Sequence, residues 1–112
     1  MSKNKKEIDI KKQIESDLME QLEEKNATHA HYKGLVKDYL DLWEIKNQLR
    51  DDIAERGVSI YWCNGGGQEG YKKNDSISEM VKVSKQMLAI LSDLGLKGSE
   101  YKPIKNEEDE EL

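Results

Sequence analysis

The most informative stretch of this chain is GVSIYWCNGGGQEGYKKN, residues 57–74. An alternating apolar run, a glycine-rich turn and a short basic return predict a β-hairpin. The stretch lies between two long segments with helical periodicity. A few polar residues are enough to connect two helices, so an ordered ribbon at this position is expected to have a structural or functional role.

The segment before the hairpin predicts a long helix over residues 29–56, ending at Gly57. Its apolar residues follow three-four spacing over about 40 Å of helix and form a stripe wider than one short partner helix can cover. One flank is therefore expected to face another subunit. The residues predicted for the oligomer interface are Tyr32, Val36, Tyr39 and Trp43, joined by Ile60 and Trp62 of the ribbon.

The first segment, residues 7–25, predicts a strongly charged helix with a narrow apolar stripe. The stripe comprises Ile10, Ile14, Leu18 and Leu22. Asn26 and Thr28 then interrupt the pattern, and either one is expected to cap the start of the next helix.

The last helix is predicted to begin at the sequence Ser76-Ile77-Ser78-Glu79, which matches a capping box. Gly95 is expected to end it, with Leu91 and Leu96 in the apolar contact of a Schellman cap. Gly57 is expected to adopt the left-handed conformation at the end of the preceding helix in the same way.

These patterns predict a mainly α protein: a protomer of three helices, with a short β-hairpin between the second and third, that packs in coiled-coil fashion into a homo-oligomer. With 112 residues, 36% hydrophobic and 37% charged, the chain makes one small domain that buries little core alone. We expect an N-terminal charged helix over 1–27, a helix, hairpin and helix core over 28–97, and a flexible tail with an acidic end over 98–112.

The charge is distributed unevenly. The five acidic residues at 107–111 account for the whole formal net charge of −5, so residues 1–106 sum to zero. Five lysines and two acids give the first twelve residues a charge of +3. A basic head and an acidic tail leave nucleic-acid binding open, because local patches decide it.

The sequence also predicts where the protein works. A single Cys excludes an intramolecular disulfide and fits a reducing compartment. Neither a membrane span nor the apolar segment of a signal peptide is present, so a cytoplasmic protein without membrane contact is expected.

Candidates for catalysis or metal binding are few. His29 and His31 are two positions apart on a helix and are expected to point about 200° apart, without further ligands nearby. Cys63 lacks an activating His and is expected to be a half-buried structural residue. The glycines at 65–67 lack the Lys-Ser/Thr of a phosphate loop. We expect no catalytic residue, no metal and no cofactor.

Basic residues are the strongest candidates for a binding site. Lys72 and Lys73 close the ribbon, and two more lysines follow early in the last helix, so they can form one patch. Such contacts would hold DNA by its phosphates without reading sequence. The ribbon aromatics Tyr61 and Trp62 could stack on bases, but packing of Trp62 on the helices is favoured. Predicted DNA-binding residues are Lys3, Lys5, Lys6, Lys72, Lys73, Lys82 and Lys85.

Residues 30–97 resemble a widespread family of small terminase subunits from tailed phages and prophages. The resemblance is carried by the long helix with Tyr32, Leu35, Val36, Tyr39 and Leu42, the Gly57 stop, the aromatic ribbon with Asn64-Gly65, Lys72-Lys73-Asn74, and the closing sequence 91–96, LSDLGL. The chain departs from the family pattern at Asn74-Asp75, where Asn-Pro is common, and after Leu96.

The resemblance implies a ring-forming, non-enzymatic subunit that binds double-stranded viral DNA and brings it to a large subunit. That large subunit carries the ATPase and nuclease of genome packaging. The alternative is a helical oligomeric adaptor without a nucleic-acid role. The acidic tail is predicted either to contact a protein or to keep loose DNA off the basic surface.

Overall fold

The computed structural model describes residues 5–96. The chain forms α1 (Lys5–Glu24), α2 (Ala30–Arg56), β1 (Ser59–Cys63), β2 (Glu69–Lys73) and α3 (Asp75–Asp93). The mainly helical class and the antiparallel hairpin between the second and third helices are confirmed. The tail at 98–112 and Lys3 lie outside the described residues.

The three helices run antiparallel in chain order, which gives the molecule two distinct ends. At the hairpin end lie the start of α1, the end of α2, the hairpin and the start of α3. At the opposite end, the turn end, the connection between α1 and α2 meets the last residues of α3. Lys25 Nζ donates to the carbonyl oxygen of Gly95 there, at 2.7 Å.

One small apolar core joins all three helices near the turn end. Leu22 is 1% exposed and Val36 is 2% exposed, and both belong to a single cluster. Each helix buries only one stripe, and the rest of its surface carries charged side chains together with some exposed apolar ones. The buried members of the cluster are Leu18, Leu22, Val36, Leu40, Ile90, Leu94 and Leu96.

Two helix ends at the turn end use the same cap. Gly95 has φ 72°, Leu96 N donates to Leu91 O at 2.8 Å, and Gly95 N donates to Ser92 O at 2.9 Å. These two bonds define the predicted Schellman cap, and the prediction is confirmed. Asn26, with φ 59°, closes α1 through the same pattern of bonds. Asn26 is thus a helix end, and the prediction that Asn26 or Thr28 caps α2 is wrong, since His29 precedes α2 without a side-chain cap.

Two predictions about the hairpin end are corrected. Gly57 has the expected positive φ of 85°, but its ψ is −177°, which lies outside the left-handed helical region. The predicted left-handed cap is therefore absent at Gly57, and the chain continues in an extended conformation toward β1. The capping box at residues 76–79 is wrong as well. Asn74 is the N-cap of α3, and its side chain accepts from Ser76 N at 2.9 Å.

Candidate nucleic-acid interface

The hairpin is held to the helices by the side chain of Asn74, which is completely buried. Its Nδ2 donates to the Gly57 carbonyl at 2.9 Å and to Asp52 Oδ2 at 3.2 Å, while its Oδ1 caps α3. The main chain adds a bond from Asn74 N to Val58 O at 2.7 Å. The hydrogen bonds of Asn74 therefore connect both ends of the hairpin to α2 and α3.

Asp52, on the last turns of α2, extends this network. It accepts from Arg56 Nε and Nη2 at 2.6 and 2.8 Å and from Ser76 Oγ at 2.7 Å. The hydrogen bonds from Arg56 and then Ser76 hold the pKa of the Asp52 carboxyl well below its usual range. Sequence reasoning missed this cluster, and an Asn directly before a helical pattern was the only local signal of it.

We expect Asn74→Ala to lower the free energy of unfolding by about 2 to 3 kcal/mol, because it removes an N-cap and leaves buried polar partners unpaired. Asn64→Ala is the matched control, since Asn64 also bonds backbone amides but lies exposed in the hairpin turn. Urea unfolding of both variants measures the difference. Equal losses would contradict the role of Asn74.

The Asp52 network also predicts a pH dependence. A carboxyl whose folded pKa is depressed stabilises the fold above its ordinary pKa of about 4, and this contribution is lost as pH falls toward the folded pKa. The stability difference between the wild type and Asp52→Asn should thus be largest near neutral pH and shrink in acid. Urea unfolding at a neutral pH and at an acidic pH tests this, and an unchanged difference would refute it.

Four of the lysines predicted for DNA contact, Lys72, Lys73, Lys82 and Lys85, are exposed and lie on either side of the start of α3. Lys72 lies opposite Ile60 in the hairpin and Lys73 lies opposite Ser59, so the two side chains point to opposite faces of the ribbon. Lys82 and Lys85 follow on α3. Lys82 Nζ is 3.2 Å from Glu79 Oε2, but both groups are largely exposed, so this pair holds the lysine only weakly.

The basic start of α1 lies at the same end of the molecule. Lys5 and Lys6 begin this helix, and Lys6 lines a groove of about 420 Å³ together with Ile10, Trp43 and Arg50. Lys11 pairs with Glu44 one turn further along. Two lysine groups that are about 65 residues apart in sequence are thus brought to the hairpin end.

The ribbon presents aromatic side chains on both faces. Tyr61 and Tyr71 pair edge to face with ring centroids 5.6 Å apart, and they are 51% and 73% exposed. The indole of Trp62 lies over Gly70, where an added methyl group would stand 3.5 Å from Nε1. Packing on the helices was expected for Trp62, but its side chain is 38% exposed, and the neighbouring Val58 is 62% exposed.

The residues predicted for a subunit interface differ in their surroundings. Val36 is enclosed in the core of the single chain, so one chain accounts for its burial. Tyr32 and Tyr39 are half-buried against the same core, and burial raises the pKa of the Tyr39 hydroxyl. Trp43 lines the groove beside α1. Ile60 is half-buried on the ribbon.

The histidines and the cysteine also differ from expectation. His29 precedes α2 with extended backbone, so its ring stacks on His31 with centroids 6.0 Å apart, and the expected opposite directions are wrong. Cys63 is exposed rather than half-buried. Within residues 5–96, no three His, Cys, Asp or Glu side chains converge as metal ligands would.

Comparison with known proteins places the chain in a family. The model of the phage terminase small subunit family matches residues 12–111. The chain therefore belongs to the phage terminase small subunit family, which confirms the resemblance seen in residues 30–97 of the sequence. No curated protein and no solved structure matches it. Over the part of the chain that the structure describes, no helix is long and apolar enough to cross a bilayer.

Proposed function

We propose that this chain is the DNA-binding, non-catalytic subunit of a viral genome-packaging motor. It binds double-stranded viral DNA through phosphate contacts and recruits or stimulates the large terminase subunit, which carries the ATPase and nuclease. The place of action is the cytoplasm of the host cell. Membership of the terminase small subunit family supports this role.

The observation that carries the DNA contact is the position of the lysines. Lys5, Lys6, Lys72 and Lys73 all lie at the hairpin end, and the buried Asn74 holds the ribbon that bears two of them. Lysines that contact phosphates contribute to DNA affinity by releasing counterions, and they do so without reading the base sequence. Lys82 and Lys85 extend the same basic surface along α3.

We also propose that the working form is a homo-oligomeric ring. Large apolar side chains remain exposed on every helix and strand. This is more exposed apolar surface than is expected of a small protein that works as a monomer. A contact between different surfaces of successive subunits closes into a ring when the rotation permits. The described residues that suit such a contact include Trp43, Ile60 and Trp62, with Ile8 also exposed.

The proposal is tested with purified full-length chain and DNA carrying the viral genome end, in the presence and absence of the large subunit. We expect an assembly larger than a dimer by native mass spectrometry, binding at low salt, and faster ATP hydrolysis by the large subunit. Absence of DNA binding under both conditions would favour the adaptor without a nucleic-acid role.

A further inference from the structure

The outward face of α3 carries two exposed apolar side chains with a lysine between them. Val81, Lys85 and Leu88 follow one another at four-residue and three-residue steps, so they share one face. Val81 is 50% exposed and Leu88 is 64% exposed. DNA phosphates would use the lysine of this face but leave its apolar groups uncovered. The face therefore suits a peptide that combines apolar and acidic residues.

The chain itself contains a peptide of this chemistry. Tyr101 and Ile104 supply apolar side chains, and residues 107–111 follow them with five consecutive acids. The order along the peptide matches the order along α3 read toward its start. Leu88 and Val81 come first, and the lysines of the hairpin end come after them.

The peptide is also long enough to reach. Leu96 lies at the turn end, about 12 Å from Leu88 and about 22 Å from Val81 along the helix axis. An extended chain spans up to about 17 Å from Leu96 to Tyr101 and about 27 Å to Ile104. Glu107 can stand up to about 36 Å from Leu96, and the start of α3 is about 32 Å away.

We propose that residues 101–111 fold back along the outward face of α3 and occupy the lysines of the hairpin end. The tail then competes with DNA for the same cations, so only DNA that binds well enough to displace it is retained. This regulation rests on the proposed DNA-binding function. Because the acids are tethered by a short linker, their effective concentration at the lysines is in the millimolar range.

The docking itself is tested without DNA. Carbodiimide treatment of the full-length chain joins lysine amines to carboxylates that are in contact with them, and mass spectrometry locates the joined peptides. We expect residues 107–111 coupled to Lys72, Lys73 or Lys82, with the yield falling at high salt. Coupling no stronger than that to Lys33 and Lys37, the exposed lysines at the far end of α2, would overturn the proposal.

Competition is tested with two sets of variants. Replacing the five acids of 107–111 by their amides should raise DNA affinity at moderate salt by about tenfold. The double variant Val81→Ser, Leu88→Ser should also raise DNA affinity, because it weakens docking of the tail without changing any charge. The combined variant should gain no more than the amide variant. Unchanged affinity in both sets would overturn the competition, whereas a failure of every variant to bind DNA would overturn the proposed function and leave the coupling result standing.

Discussion

Replacing Leu22 by Ala is expected to lower the free energy of unfolding by about 3 kcal/mol. Leu22 is 1% exposed and packs at the point where α1 meets α2 and the last residues of α3. Removing its side chain opens a cavity that a core of so few residues cannot refill. In a small domain this loss is a large part of the total stability.

Ile45→Ala is the matched control, because Ile45 is 43% exposed on the middle of α2. Its loss should stay within about 1 kcal/mol. Urea unfolding, followed by circular dichroism, measures the loss of unfolding free energy for both variants. The protein concentration is kept fixed, because assembly would make stability depend on it. Equal losses for the two variants would show that the core does not lie where the helices place it.

Replacing Lys72 and Lys73 together by Gln is expected to weaken DNA binding at low salt by at least about tenfold and to reduce the salt slope by about two. The two side chains lie on opposite faces of the ribbon, so DNA contacts both only if the ribbon edge approaches it. An oligomer repeats the loss in every subunit.

Lys33→Gln with Lys37→Gln is the control for this change, since it removes the same charge from exposed positions near the turn end. Fluorescence anisotropy with labelled duplex DNA gives both affinities. If the control weakens binding as much as the ribbon variant does, total charge rather than the hairpin end determines binding.

The hairpin and the end of α3 could be predicted because local chemistry determines them. The alternating run at 59–63 and the glycines of the turn specify a ribbon, and Gly95 ends α3 in a conformation that glycine adopts without strain. The start of α3 was misassigned because two competing caps lie two residues apart. Asp52, 22 residues before Asn74, accepts hydrogen bonds from both the Asn74 amide and the Ser76 hydroxyl, so the Ser76 side chain is engaged elsewhere and Asn74 Oδ1 caps the helix.

The candidate interfaces were less predictable for a different reason. A wide apolar stripe on α2 indicates that something covers it, but the pattern cannot distinguish a helix of the same chain from a helix of another. Val36 was predicted for contact with a second subunit, and its burial is accounted for by the core of its own chain. The convergence of Lys6 with the hairpin lysines likewise depends on the antiparallel packing of α1 on α2.

The salt dependence of DNA binding by the wild-type chain tests whether lysines at the hairpin end bind DNA phosphates. The observed association constant for duplex DNA is measured by anisotropy over a series of salt concentrations. If lysines at the hairpin end bind phosphates, the logarithm of the constant falls linearly with the logarithm of salt concentration, with a slope of about −0.9 for each phosphate neutralised. A slope near zero, or no binding at the lowest salt, would contradict phosphate binding by the lysines at the hairpin end.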